Sequence, residues 1–365
     1  MTKAPQAAAG VSRGHTDLMR VLCIFGITWF HMSYRLEAAW PEAPMWLLAV
    51  IGGYGRLSSP LLGLMSGLLF GLALARTRSP ARLTRRRITG LLSLYLFWNL
   101  AAVGLGVCAS LLFGKQPQAG MVTLNGVLGI TAWPFNFPLH YLADIAKGMA
   151  AFYLLNRLIG RNWPALCAAC ILLVTGLVLV SGTMTNAASA LPRIDSTLFF
   201  MAGALLGIRP AAGGRILRAM RDHDLVLMGF GGAGFAFGVS LMSSNPWIVM
   251  ATSAMGGLFV FLLALRLPEP PSWVNSALAL RLFCTHVIVF MALNVLFGIE
   301  DDPSVAWWLA QPFLAVLAAW ASLAAEARWG RVLPALRPRE GPAGVFADGR
   351  RKTKGPAGAG PLLPS

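Results

Sequence analysis

Residues 17–31, DLMRVLCIFGITWFH, carry three ionisable side chains on a run that is otherwise almost wholly apolar. An imidazole can take and return a proton near neutrality, and a guanidinium can hold an anion in a planar fork of N–H donors. On a helix advancing about 100° per residue, Arg20 and His31 fall only about 20° apart in azimuth, with Asp17 about 40° to the other side of His31. The three therefore share one stripe. A charge at the bilayer centre costs at least ~2.5–3.5 kcal/mol, so that stripe faces protein or a water-filled cavity rather than lipid. At the rise of an α-helix, His31 stands ~16 Å along the axis from Arg20. His31 reads either as a packing histidine bonded to a neighbouring helix or as a general base. Arg20 reads either as the i,i+3 partner of Asp17 or as the anchor of an anionic group entering from the cytoplasm.

Other polar groups sit in apolar surroundings. His140, Asp144 and Lys147 recur at i, i+4 and i+7, one face of a helix. Asp144 either neutralises Lys147 or orients a catalytic imidazole. His286 is a packed histidine or a contact to substrate. Arg82, Arg85, Arg86 and Arg87 form a basic cluster that serves membrane topology, binds phosphate, or does both. Ser66-Gly67 allows close helix approach, and Asn99 and Asn294 read as interhelical hydrogen bonds. The five cysteines all lie in apolar runs and form neither a disulfide framework nor a metal site. No phosphate-cradling glycine loop and no H-E-x-x-H zinc helix is present.

The elements that must position these groups are membrane helices. Hydrophobic residues make up 56% of the 365, only 12% are charged, and mean hydropathy is +0.65. Soluble domains run nearer a quarter charged. A formal charge of +16 raises the possibility of nucleic acid. The basic residues, however, fall in short clusters between apolar runs, as topology requires, so a nucleic-acid partner is excluded. At about 20 residues per span, ten candidates appear near 18–34, 57–75, 88–113, 138–158, 163–182, 195–209, 224–243, 246–266, 277–298 and 305–325. The stretch 44–54 is too short to span and lies at the interface or leads into the second helix, and 121–133 is similarly ambiguous. With the N-terminus inside, most of the 30 lysines and arginines lie in cytoplasmic segments, and the outside loops hold only Arg35, Arg56, Lys115 and Arg193. This asymmetry favours an even number of helices with both ends cytoplasmic. The expected organisation is a flexible N-terminus over 1–14, an all-α polytopic bundle over 15–325, and a basic Pro/Gly-rich disordered tail over 326–365 that can touch anionic headgroups. The N-terminus lacks a cleavable secretory signature, so the first apolar run is read as a retained span.

The stretch DLMRVLCIFGITWFH resembles the first-helix signature of the membrane-bound acyltransferase 3 family, an arginine and a histidine with ten residues between them. Further pieces follow in the family's order. LLGLMSGLLFG at 61–71 resembles its "F-x-L-S-G-F-L" helix, and RLTRRRITGLLSLYLFW at 82–98 its arginine-rich loop running into "L-P-x-Y". FPLHYLADIAKGMAAFYLL at 137–155 is similar to "P-L-W-F-L-x-D-L", LFFMAGALLG at 198–207 to "F-x-L-G-Y-L-L", and RLFCTHVIVF at 281–290 to the late "Y-L-x-H" helix. The likeness covers roughly residues 15–325. Departures are Val21 in place of a glycine, Gly90 in place of an arginine, Ser93 in place of a proline, and His140-Tyr141 in place of a Trp-Phe pair.

The resemblance implies transfer of an acyl group, acetyl or succinyl, from cytoplasmic acyl-CoA to a carbohydrate hydroxyl at the outer face of a bacterial inner membrane, with no metal. It implies His31 as the base, with Asp17, Arg20 and Asp144 in the catalytic set. Arg82, Arg85, Arg86 and Arg87 would bind the donor, and His140, Tyr141 and His286 would line the acceptor side. The rival class is an exporter of a saccharide or lipid-linked saccharide without chemistry, since polar groups inside spans mark transport paths as readily. An inverted repeat would favour it, and none is visible.

Overall fold

A computed structural model describes residues 13–31, 36–37, 39–114, 127–128, 136–160, 162–183, 193–241, 246–298 and 304–329. Among these the chain is helical throughout, without strands: α1 (Arg13–His31), α2 (Met45–Arg76), α3 (Pro80–Phe113), α4 (His140–Ile159), α5 (Trp163–Thr183), α6 (Ile194–Ile208), α7 (Pro210–Asp222), α8 (Asp224–Ser240), α9 (Pro246–Arg266), α10 (Ser276–Phe297) and α11 (Val305–Trp329). A 3₁₀ turn, Phe137–Leu139, leads into α4. Four of the helices are long and apolar enough to cross a membrane, over Trp46–Arg76, Pro80–Phe113, Ser276–Phe297 and Val305–Arg328. Shorter apolar helices accompany them at Trp163–Leu179, Ile194–Ile208, Asp224–Ser240 and Met250–Arg266. Helices α1 and α4 are more polar because each carries the charged residues described below.

Local signals explain the ends. Pro80 opens α3 at its first turn, where a missing N–H costs nothing. The Asn275 side chain caps α10 by accepting from the N–H groups of Ala277 and Leu278. Helices α3 and α10 end on Gly114 (φ 66°) and Gly298 (φ 60°), left-handed positions that suit glycine. The stretch 44–54 is resolved in favour of the second helix, since α2 runs unbroken from Met45 to Arg76. The last span, expected over 305–325, runs on to Trp329, and the stretch between the expected spans 195–209 and 224–243 forms the amphipathic helix α7. The segment 121–133 lies outside the described residues except for 127–128, as do most of 1–14 and 326–365.

Within a core of large apolar side chains such as Phe70, Phe152 and Phe200, the tightest packing is a seam of small residues. Helices α2 and α6 make the most extensive pairing in the molecule, through Gly63, Gly67 and Gly71 on one side and Gly203 and Gly207 on the other. A Cβ on Gly67 would stand 2.0 Å from the Phe200 carbonyl oxygen, and one on Gly203 would stand 2.0 Å from that of Leu64. Without a hydrophobic drive between helices in lipid, such backbone approach is what associates them. Helix α1 packs on α2, α9, α10 and α11. Its crossing with α2 is equally close, because Gly26 lies under Tyr54 and Gly55 lies under Phe30. Tyr54 Oη also donates to the Leu22 carbonyl at 2.8 Å. That crossing delivers the last residue of α1, His31, to the centre of the bundle's polar region.

Candidate active site

A cavity of about 220 Å³ is lined by His31 and Phe30 of α1, Arg56 and Ser59 of α2, His140 and Tyr141 of α4, Arg193 and Asp195 at the start of α6, Met250 and Ser253 of α9, and Phe283 of α10. Six helices, with Pro138 of the 3₁₀ turn, thus border the space beside the His31 imidazole. The His31 ring stacks on His286 of α10, with centroids 5.6 Å apart and planes 6° from parallel. His286 is fully buried, its Nδ1 lies 3.1 Å from the Leu282 carbonyl, and its Nε2 has no hydrogen-bond partner among the described residues. A carbonyl can only accept, so Nδ1 carries the N–H. Phe283 and Phe290 wall the pair in.

Arg193 is the fixed cation of the cavity. Its Nε donates to Asp144 Oδ2 at 3.2 Å, and its Nη2 donates to Ser59 Oγ at 2.8 Å and to Ser196 Oγ at 3.0 Å. Ser59 and Ser196 lie 3.1 Å apart, so the guanidinium is clamped from α2, α4 and α6 together. Asp144 is buried at 4% exposure, and the Arg193 charge is what makes such burial tolerable. The sequence offered Lys147 as a neutralising charge for Asp144, or Asp144 as the orienter of an imidazole; the structure adds an ion pair with Arg193. The reason is register. Arg193 directly precedes α6, whose tight packing on α2 brings it over the buried carboxylate.

Other predicted residues distribute as follows. Asp17 and Arg20 pair at 2.9 Å near the start of α1, with Asp17 buried, and neither lines the cavity. Tyr141 is buried, its Oη 3.4 Å from Ser66 Oγ and its ring edge-on to Phe283. Arg82, Arg85 and Arg86 are exposed, whereas Arg87 is buried, with its guanidinium 5.8 Å over the Phe70 ring. Arg82 also joins Ser79, Tyr153, Asn156 and Arg157 around an open notch between the start of α3 and the end of α4. Asn99 anchors the chain before α4, its Oδ1 accepting from the Asn136 N–H at 3.1 Å while Asn136 Nδ2 donates to the Cys284 carbonyl. Arg193, Arg56 and Asp195 were missed as site residues because a charge at a span's edge looks like an ordinary loop charge. The one signal for Arg193 was a buried aspartate in need of a cation.

A polar chamber built around a histidine at the end of the first helix sits within a set of family motifs in order. The model of the acyltransferase 3 family, described as an acyltransferase domain, matches residues 16–327. The chain belongs to this family. It is therefore an acyltransferase, and a transporter without acyl chemistry is not supported. Comparison with curated proteins and with solved structures found no match. In this acyltransferase the matched region spans α1 to α11 and so contains every cavity residue named above.

Proposed function

We propose that this acyltransferase moves an acyl group from acyl-CoA to a carbohydrate hydroxyl, with His31 as general base. The observation that carries the reading is the placement of His31, which faces a cavity flanked by a clamped arginine and a second imidazole rather than lipid. In the proposed reaction the acceptor O–H gives its proton to a nitrogen of His31 as its oxygen attacks the thioester carbonyl carbon. The C–S bond breaks, the acyl–oxygen ester forms, and the imidazolium returns the proton to the departing thiolate. Arg193 donates to the carbonyl oxygen as negative charge develops there. Its Nη1, which bonds to none of the described residues, is the available donor, and Asp144, Ser59 and Ser196 hold it so that little reorganisation is needed. His286, expected on the acceptor side, is fully buried behind the cavity wall and acts only through the His31 ring it stacks on, while His140, Tyr141, Arg56 and Asp195 bind the acceptor's hydroxyls.

The donor reaches this chamber from the cytoplasm. The excess of basic residues in alternate loops supports both ends inside, which puts Arg82, Arg85, Arg86 and Arg157 at the cytoplasmic face. The notch lined by Arg82 and Arg157 suits the phosphates of CoA, with Arg85 and Arg86 exposed on the same first turns of α3. The acceptor is taken from the opposite side, at the mouth bounded by Arg56 and Asp195. The setting that fits is a bacterial inner membrane with ten spans, α7 lying along its inner surface. Mass spectrometry of surface glycans from cells expressing the intact chain or His31→Ala tests the reading. An acyl increment seen only with the intact chain is expected, and identical glycans in both overturn it.

A further inference from the structure

The cavity does not end at its polar wall. Directly beneath it, along the same faces of α2 and α9, runs a second, almost wholly apolar hollow. It is lined by Pro60, Leu64 and Leu68 of α2, Gly257 and Phe261 of α9, and Ile216 of α7, among others. Ser253 belongs to both walls, so the two spaces lie next to each other across that residue. On α2 the lining passes from Arg56 and Ser59 to Pro60, Leu64 and Leu68, and on α9 from Met250 and Ser253 to Gly257 and Phe261. Each series follows one helical stripe from polar to apolar.

We infer that this slot receives the hydrocarbon chain of the donor's acyl group, and that the chain transferred is medium in length rather than acetyl or succinyl. The inference rests on the acyl-transfer reading above. Three features support it. Ser253 sets the head of the slot beside the chamber in which the thioester carbonyl must sit for His31 to serve the attacking hydroxyl. From Ser253 to Phe261 the helical rise is ~12 Å, the reach of roughly eight to ten carbons. A slot with essentially no polar lining also fits an alkyl chain and rejects the terminal carboxylate of succinate.

Gly257 makes the idea testable, because a Cβ there meets only Leu61 Cβ, at 3.8 Å, so a larger side chain would project into the slot rather than into backbone. Membranes that retain their glycans are given acetyl-CoA or decanoyl-CoA, and free CoA release is followed above the level of His31→Ala. The intact chain is expected to favour decanoyl-CoA at least tenfold in kcat/KM. Gly257→Leu is expected to bring that ratio to within about threefold of unity, while Gly257→Ala, one carbon larger, holds it. Should Gly257→Leu yield no folded protein, Ile216→Trp, at a half-exposed position at the far end, is expected to move the optimum to shorter chains. Preference for acetyl-CoA by the intact chain, or an unchanged ratio in the active slot variants, overturns the assignment while leaving acyl transfer standing. Absence of His31-dependent release from either donor overturns the acyl-transfer reading and the slot assignment with it.

Discussion

Arg193 shows how a single residue decides what the site can do. A guanidinium bonded to one carboxylate and two hydroxyls is immobile, and an immobile cation beside a reacting carbonyl stabilises developing charge without having to move. Arg193→Gln is expected to lower kcat for acyl transfer by ~10²–10³, the usual loss when such a donor is removed, with KM for acyl-CoA changed by less than about threefold. Steady-state kinetics in membranes checks this, and a loss confined to KM would assign Arg193 to donor binding instead. Arg193→Gln also leaves Asp144 buried without its cation, and the double variant Arg193→Gln/Asp144→Asn is expected to recover expression but not rate. The sequence made His31 legible because helical spacing alone places it on the stripe of Asp17 and Arg20. It left Arg193 obscure because nothing local distinguishes a clamped arginine at a helix start from a topological one; only the packing of α6 on α2 does so.

Helices here are located by glycine more than by pattern. Apolar faces cannot choose partners inside a bilayer, where lipid is as apolar as leucine, so close backbone approach must do it. The α2–α6 seam carries Arg193 and Ser196 on one helix and Ser59 on the other, so its register is the register of the site. Gly67→Leu or Gly203→Leu, each forced against a carbonyl oxygen, is expected to abolish the monodisperse peak of the purified protein in size-exclusion chromatography. Gly104→Ala and Gly176→Ala, where an added Cβ meets nothing within 4 Å, are expected to stabilise by about 0.5–1 kcal/mol, read as a higher melting temperature. From the sequence, Ser66-Gly67 was legible as a close approach, but its partner was not. The helix α7 was hidden for a different reason: its exposed arginines, Arg215, Arg218 and Arg221, resemble a basic loop until the inward-facing Ile216 and Met220 are counted.

Across the whole molecule, the two polar spaces stand apart. The Arg82–Arg157 notch adjoins the C-terminal end of α4, and the His31 chamber adjoins its N-terminal end, so the two stand at opposite ends of that helix. That placement suits an enzyme whose donor and acceptor come from opposite compartments. On the proposed topology, a fluorescent protein fused to the C-terminal tail is expected to be bright and an alkaline phosphatase fused there inactive; the reverse would invert the proposed sides of donor and acceptor. Apolar run lengths and charge bias made the helical bundle readable from the sequence, since both follow directly from the cost of exposing polar groups to lipid. Which chamber the charges share could not be read in that way, because it depends on residues such as Asp144 and Arg193 meeting across distant parts of the chain.

The central claim is that the imidazole of His31 takes the acceptor's proton during acyl transfer. The most direct measurement is the rate of CoA release from acyl-CoA by the purified chain in lipid nanodiscs with a soluble saccharide acceptor, comparing the intact protein with His31→Ala and His31→Gln. A loss of ~10²–10⁴ in kcat with donor binding retained is the predicted result, and release within about threefold of the intact rate in either variant would contradict the account.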